Sequence, residues 1–191
     1  MDFRAIKEAT GPASNVESES CVEFVTNLAK KGNWLFIYML SNAASREVSI
    51  LVDSKDNYFV DWGTISSVKL SPPIGAVLPF KLWVHTHPSN TAYWSITDQT
   101  TLEIAKGILK KAIVLGENGL LSTTLQSQCT CIEDTVNSNL QWTEEEVTDW
   151  SEFNMDDFSE DILCDIYSYL RFTFSNKKII CDDFYSDGKY W

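Results

Sequence analysis

Positive charge is scarce in this 191-residue chain: 15 lysines and arginines stand against 27 aspartates and glutamates, a net charge of -12. A surface so biased repels phosphate backbones, which excludes nucleic acid as a partner, and it disfavours anionic lipid headgroups for the same reason. Basic segments are attracted instead. Long hydrophobic runs are also missing. The longest, "WLFIYML" and "AIVLG", fall far short of the roughly 20 apolar residues that cross a bilayer, so no membrane insertion is expected. The opening "MDFRAIKEATGPASNVESES" lacks the apolar core of a secretory signal. Five cysteines, Cys21, Cys129, Cys131, Cys164 and Cys181, are odd in number and irregularly spaced, a poor disulfide framework. The expectation is a soluble protein of a reducing, cytoplasmic compartment.

What is present suffices for a core. Hydrophobic residues make up 44 % and aromatics 13 %, which suits one domain with an appended terminal segment. Apolar residues Val22, Val25, Leu28 and Ala29 recur at helical spacing, predicting a helix over about 16–31 that stops at Gly32 and Asn33. "NWLFIYML" reads as a strand buried on both faces, and "EVSILVD" as its partner, giving a hairpin over 34–53 about "SNAASR". "NYFVDWG" is a further strand, and the proline-rich "SPPIGAVLPF" a connecting loop. "KLWVHTH" is strand-like up to Pro88. "SITDQTTLEIAKGILKK" carries a helical apolar stripe with lysines in its last turn, and "AIVLGENGLLSTTLQ" two more strands. Residues 16–127 thus alternate helices and strands in an α/β arrangement. Residues 132–191 change character: they are acidic, and only "DILCDIYSYLRFTF" looks helical. The expected division is a domain over 1–131 and a partly helical acidic C-terminal extension over 132–191.

Histidine is the scarcest informative residue. The chain has two, His85 and His87, both in "WVHTHPSNTAYWSITD". In a strand, residues i and i+2 face the same way, so the two imidazoles stand side by side, able to share one metal ion. Catalytic zinc takes three protein ligands and leaves a fourth position to water. Asp98, across a loop at the start of the next helix, is the natural third. Ser95-x-x-Asp98 also reads as a capping box for that helix.

Taken together, His85-Thr-His87-Pro88, six residues, then Ser95-x-x-Asp98, with Trp83 two residues before the first histidine, resembles the signature of the JAMM zinc metalloproteases, the MPN-plus family. "WVHTHPSNTAYWS" is most similar to the AMSH-like branch, which are deubiquitinases. The motif covers Trp83 to Asp98, and the wider order of elements about 16–127. The resemblance implies a mixed β-sheet flanked by helices, the JAMM/MPN (cytidine-deaminase-like) α/β fold. It implies Zn2+ held by His85, His87 and Asp98, and Ser95 as hydrogen-bond donor to the oxyanion. The implied substrate is ubiquitin or a ubiquitin-like protein, cleaved at an isopeptide or peptide bond. An MPN-type partner or dimer is implied as well.

The family also uses a glutamate at the opening of the strand after the first helix, as proton carrier. Aligned on the end of the first predicted helix, that position falls between Asn33 and Leu35, and no acid occurs from Lys30 to Leu40. In the expected 34–53 hairpin Asp53 comes out opposite Trp34, near the vacant position, and Glu47 at the turn end. The candidates for general base are therefore Asp53, then Glu47 or Glu23. The alternative is a catalytically inactive MPN domain serving as scaffold or as a ubiquitin-like-binding module.

Other chemistries fit less well. A deaminase-type zinc site needs H-x-E and P-C-x-x-C, and Cys129-x-Cys131 has neither proline nor spacing. A cysteine protease needs a histidine beside its thiol, and both histidines are taken. The acidic run 143–162 could draw in a basic partner, such as an arginine-containing tail of a ubiquitin-like protein.

Overall fold

The structure, a computed structural model, describes residues 16–64, 70–132 and 135–152. All of them belong to a unit spanning Asp2–Phe153; Asn154–Trp191 with Met1 form a separate one. The helix expected in "DILCDIYSYLRFTF", Cys164 and Cys181 lie outside the described residues. Among the described residues no helix is long and apolar enough to cross a membrane.

Helix α1 (Glu19–Lys30) starts where Ser18 accepts a hydrogen bond from the amide of Cys21. It ends at Lys31 and Gly32, the latter at φ 72°, a conformation that costs glycine least. Helix α2 (Trp34–Ala44) follows at once. This corrects the expected strand over "NWLFIYML", and with it the 34–53 hairpin. Periodicity cannot separate a short, wholly apolar strand from a buried helix. Here Phe36, Ile37, Leu40 and Ser41 are buried at helical spacing, and Ser45 closes the helix at φ 51°.

The strands are β1 (Val48–Val52), β2 (Tyr58–Trp62), β3 (Leu82–Thr86), β4 (Lys111–Gly116), β5 (Gly119–Ile132) and β6 (Thr135–Trp142). They form one six-stranded mixed sheet in the order β2-β1-β3-β4-β5-β6, in which only β3 and β4 run parallel. The hairpin is therefore β1–β2 rather than one including residues 34–40. Helix α3 (Ile96–Ala105) makes the crossover between β3 and β4. It ends before Lys110 and Lys111, so these do not occupy its last turn as expected.

Alternation along β3 sorts the two faces. Trp83 joins Leu51, Phe80, Leu102, Ala105, Leu109 and Ala112 in a buried cluster under α3. Thr86 points the other way and meets Ser41 of α2. Helices thus lie on both sides of the sheet. The expected boundary near residue 131 falls inside the β5–β6 hairpin, where Leu125 pairs with Trp142 and Ile132 with Thr135. Trp142 donates to the carbonyl of Leu102, and the buried Trp150 to that of Gly116. The compositional break at 132 is not a break in the fold.

Candidate metal centre

His85 lies in β3, flanked by Ser49 of β1 and Val114 of β4. His87 follows the strand's last residue and keeps its ladder, its amide donating to Leu115. Because β3 and β4 are parallel and α3 makes the connection between them, both histidines sit at the carboxyl end of that pair, a usual place for sites in open α/β sheets. Ser95 caps α3: its hydroxyl accepts from the amide of Asp98, and the Asp98 carboxylate accepts from the amide of Ser95. The capping box expected from the sequence is present, and it aims Asp98 at the histidines.

The three side chains converge. Nε2 of His85 and Nε2 of His87 are 3.2 Å apart. Asp98 Oδ1 is 3.2 Å from His85 Nε2, and Asp98 Oδ2 is 3.4 Å from His87 Nε2. Tetrahedral zinc with bonds of about 2.0–2.1 Å holds its ligands roughly 3.3–3.4 Å apart. One ligand atom from each residue falls within a span of 4.8 Å, and all three residues are buried. The donor set and its spacing therefore fit one ion. Asp98 Oδ2 is engaged by both the amide and the hydroxyl of Ser95, at 2.9 and 2.6 Å, which leaves Oδ1 for a metal.

The electrostatics agree. Burial lowers the pKa of His85, against the pull of Asp98, which favours the neutral imidazole that a metal requires. Burial would raise that of Asp98, but hydrogen bonds from His85, His87 and Ser95 hold it well below the usual carboxylate range. Aromatic rings pack about the imidazoles: Trp83 stacks on His85 at 4.5 Å, and Tyr93 meets His87 edge-on at 4.9 Å. Trp83 is fixed by a 3.0 Å hydrogen bond to Ser49. Among the described residues the Nδ1 atoms of both histidines, which are buried, have no hydrogen-bond partner, and aromatic packing borders these rings where carboxylates or carbonyls usually do.

The loop that carries the chain from His87 to α3 is pinned as firmly. Ser89 donates twice to Asn42, Ala92 donates to Asn118, and Glu117 to the carbonyl of Asn90. A Cβ on Gly116 would lie 2.0 Å from the amide nitrogen of Ala92, so only glycine lets this loop lie on β4.

The structure redistributes the base candidates. Asp53 is at the far end of β1, four residues beyond the partner of His85, or ~13 Å along the strand. Its carboxylate is consumed in a loop, accepting from the amides of Lys55, Asn57 and Val77 and from the Asn57 side chain. The expected pairing of Asp53 with Trp34 disappears with the strand it required. Glu23 lies on the exposed side of α1. Glu47, by contrast, directly precedes β1 and is only 7 % exposed. Strand alternation puts it on the face of Ser49, the face of His85 and His87. The β1–β3 pairing ends at Ser49 and His85; counted two residues further along both chains, it brings Glu47 level with His87. It was expected at the wrong end of the sheet, and the reading of 34–40 as strand was the reason.

Compared with protein-family models, curated proteins and solved structures, the chain finds no match.

Proposed function

We propose that the chain is a zinc-dependent hydrolase of the JAMM type, cleaving an isopeptide or peptide bond to remove ubiquitin or a ubiquitin-like modifier. The observation that carries this reading is the convergence of three buried ligand atoms; a buried glutamate, two residues before the β1 partner of His85, supports it. His85, His87 and Asp98 hold the ion. A zinc ion held by these residues would supply an activated water and a Lewis acid for the scissile carbonyl. Glu47 takes the proton from the attacking water and delivers it to the departing amine. Ser95 turns its hydroxyl from Asp98 toward the developing oxyanion, while its amide keeps the carboxylate in place. Trp83 and Tyr93 keep the imidazoles oriented and solvent away from their backs.

Glu47 answers the vacancy between Asn33 and Leu35. Among the described residues two helices precede the first strand, and Glu47 stands immediately before that strand, near where the family's glutamate opens its own.

The test is hydrolysis of a fluorophore-bearing ubiquitin–lysine isopeptide substrate by the zinc-loaded full-length chain, beside Glu47→Gln and Asp53→Asn. Activity in the wild type and Asp53→Asn, with loss in Glu47→Gln, supports the reading. A zinc-loaded wild type that binds ubiquitin and cleaves nothing replaces it with the inactive MPN module.

A further inference from the structure

We infer that Thr86 and Ser41 form a hydroxyl brace that positions Glu47 against the metal-binding strand; this rests on the reading of Glu47 as general base. Thr86 stands between the two histidines and points to the opposite face of the sheet. Its Oγ1 accepts the amide of Val48 at 2.9 Å and contacts the hydroxyl of Ser41. Ser41 Oγ in turn donates to the carbonyl of Arg46 at 2.7 Å. A hydroxyl has one proton, and that of Ser41 is spent on Arg46, so Thr86 is the donor between the two. The chain runs in one direction: Val48 amide to Thr86, Thr86 to Ser41, Ser41 to the Arg46 carbonyl. Thr86 and Ser41 are wholly buried.

The two backbone groups at the ends of this chain belong to the peptide units on either side of Glu47. Their remaining polar groups are held by the two residues that follow β2: the Glu47 amide donates to the Thr64 carbonyl at 2.7 Å, and its carbonyl accepts from the Gly63 amide at 2.9 Å. The Arg46 side chain adds a 2.7 Å bond to the Gly63 carbonyl. All four hydrogen-bonding groups that flank the Glu47 Cα are thus occupied, two by Gly63 and Thr64 and two by the brace. The dihedrals that aim the carboxylate are fixed, and one hydroxyl ties them to the residue between both imidazoles. Stability needs only some acceptor for the Val48 amide. An acceptor from the histidine tripeptide itself makes base and ligands move as one body.

Thr86 and Ser41 are positioning residues, touching neither substrate nor ion. The experiment uses the full-length chain as wild type, Thr86→Val, Thr86→Ser, Ser41→Ala and Glu47→Gln. Readouts are zinc per chain, kcat and KM on the ubiquitin–lysine isopeptide substrate, and hydrogen exchange of the Val48 amide. Thr86→Val should keep its zinc and KM and lose kcat by roughly 10- to 100-fold. Its Val48 amide should exchange faster, and Thr86→Ser should restore both. Ser41→Ala should shift both quantities the same way. Wild-type kcat in Thr86→Val, equal losses in Thr86→Val and Thr86→Ser, or unaltered Val48 exchange in Thr86→Val would overturn the brace. If Thr86→Val does not fold, wild-type kcat and exchange in Ser41→Ala overturn it instead. Wild-type activity in Glu47→Gln removes the base reading, and the brace's catalytic purpose falls with it. An inactive Glu47→Gln beside a fully active Thr86→Val removes the brace alone.

Discussion

Glu47 and Asp53 share a face of β1 and differ in what surrounds them, so their substitutions should separate cleanly. Glu47→Gln keeps shape and polarity and removes the proton acceptor. It should retain about one zinc per chain and lose ~10²–10⁴-fold in kcat, the usual worth of a positioned base. Asp53→Asn should leave hydrolysis intact and alter acid stability. Burial would raise the Asp53 pKa, but four hydrogen bonds outweigh it and hold it at about 2, below the usual carboxylate range. A carboxylate lowered on folding contributes stability that is complete above the unfolded value and lost as the pH falls through the folded one. Urea denaturation should show that contribution fading between about pH 4 and 2 in the wild type and missing in Asp53→Asn. Ser95→Ala tests a residue that caps α3 and, on the proposed reading, also serves the oxyanion. It should cost about 1 kcal/mol in the cap of α3, read as a lower denaturation midpoint, and ~10²-fold or more in kcat.

At the scale of elements, the loop from His87 to Ser95 decides whether Asp98 reaches the histidines. Gly116→Ala should push Ala92 off β4, destabilise by roughly 1–3 kcal/mol as overpacking does, and weaken zinc affinity although it touches no ligand. Competition against a chelating dye measures the latter; unchanged affinity would mean that α3 holds Asp98 without the loop. Most of the elements were legible in the sequence. Val48–Val52, Tyr58–Trp62, Leu82–Thr86 and Lys111–Gly116 carry strand residues bounded by turn formers, and the Ser95 cap has a local signature. The histidines, Asp98 and Ser95 were readable because alternation and capping are short-range rules. Trp34–Ala44 was not. Its eleven residues are too apolar to show a polar face, and its β-prone Phe, Ile and Tyr favour the wrong answer. Misreading that one element moved Glu47 to the wrong end of the sheet. The hydroxyls of Ser41 and Thr86 were illegible for another reason: the contact joins positions 45 residues apart, and neither has a local signal.

For the whole molecule, charge and boundary matter most. The sheet includes β6, and Trp142 and Trp150 anchor to the carbonyls of Leu102 and Gly116, so the domain does not end at 131. A chain cut after Phe153 should fold cooperatively and bind zinc as the full chain does. One cut at Cys131 loses β6, leaves the long edge of β5 open, and should aggregate or unfold well below the full chain's melting temperature. Size-exclusion chromatography and thermal melts distinguish these outcomes. If the proposed substrate with its basic tail is the right one, the net charge of -12 should give its association a salt dependence, with KM rising as ionic strength increases.

The most direct test of the central claim is metal content, measured by elemental analysis on full-length protein purified without added metal, beside His87→Ala, Asp98→Ala and Glu47→Gln. The account predicts about one zinc per chain in the wild type and in Glu47→Gln, and none in the two ligand variants. A wild type that carries no zinc and takes up none when it is supplied, or one that keeps its zinc without His87 and Asp98, would contradict it.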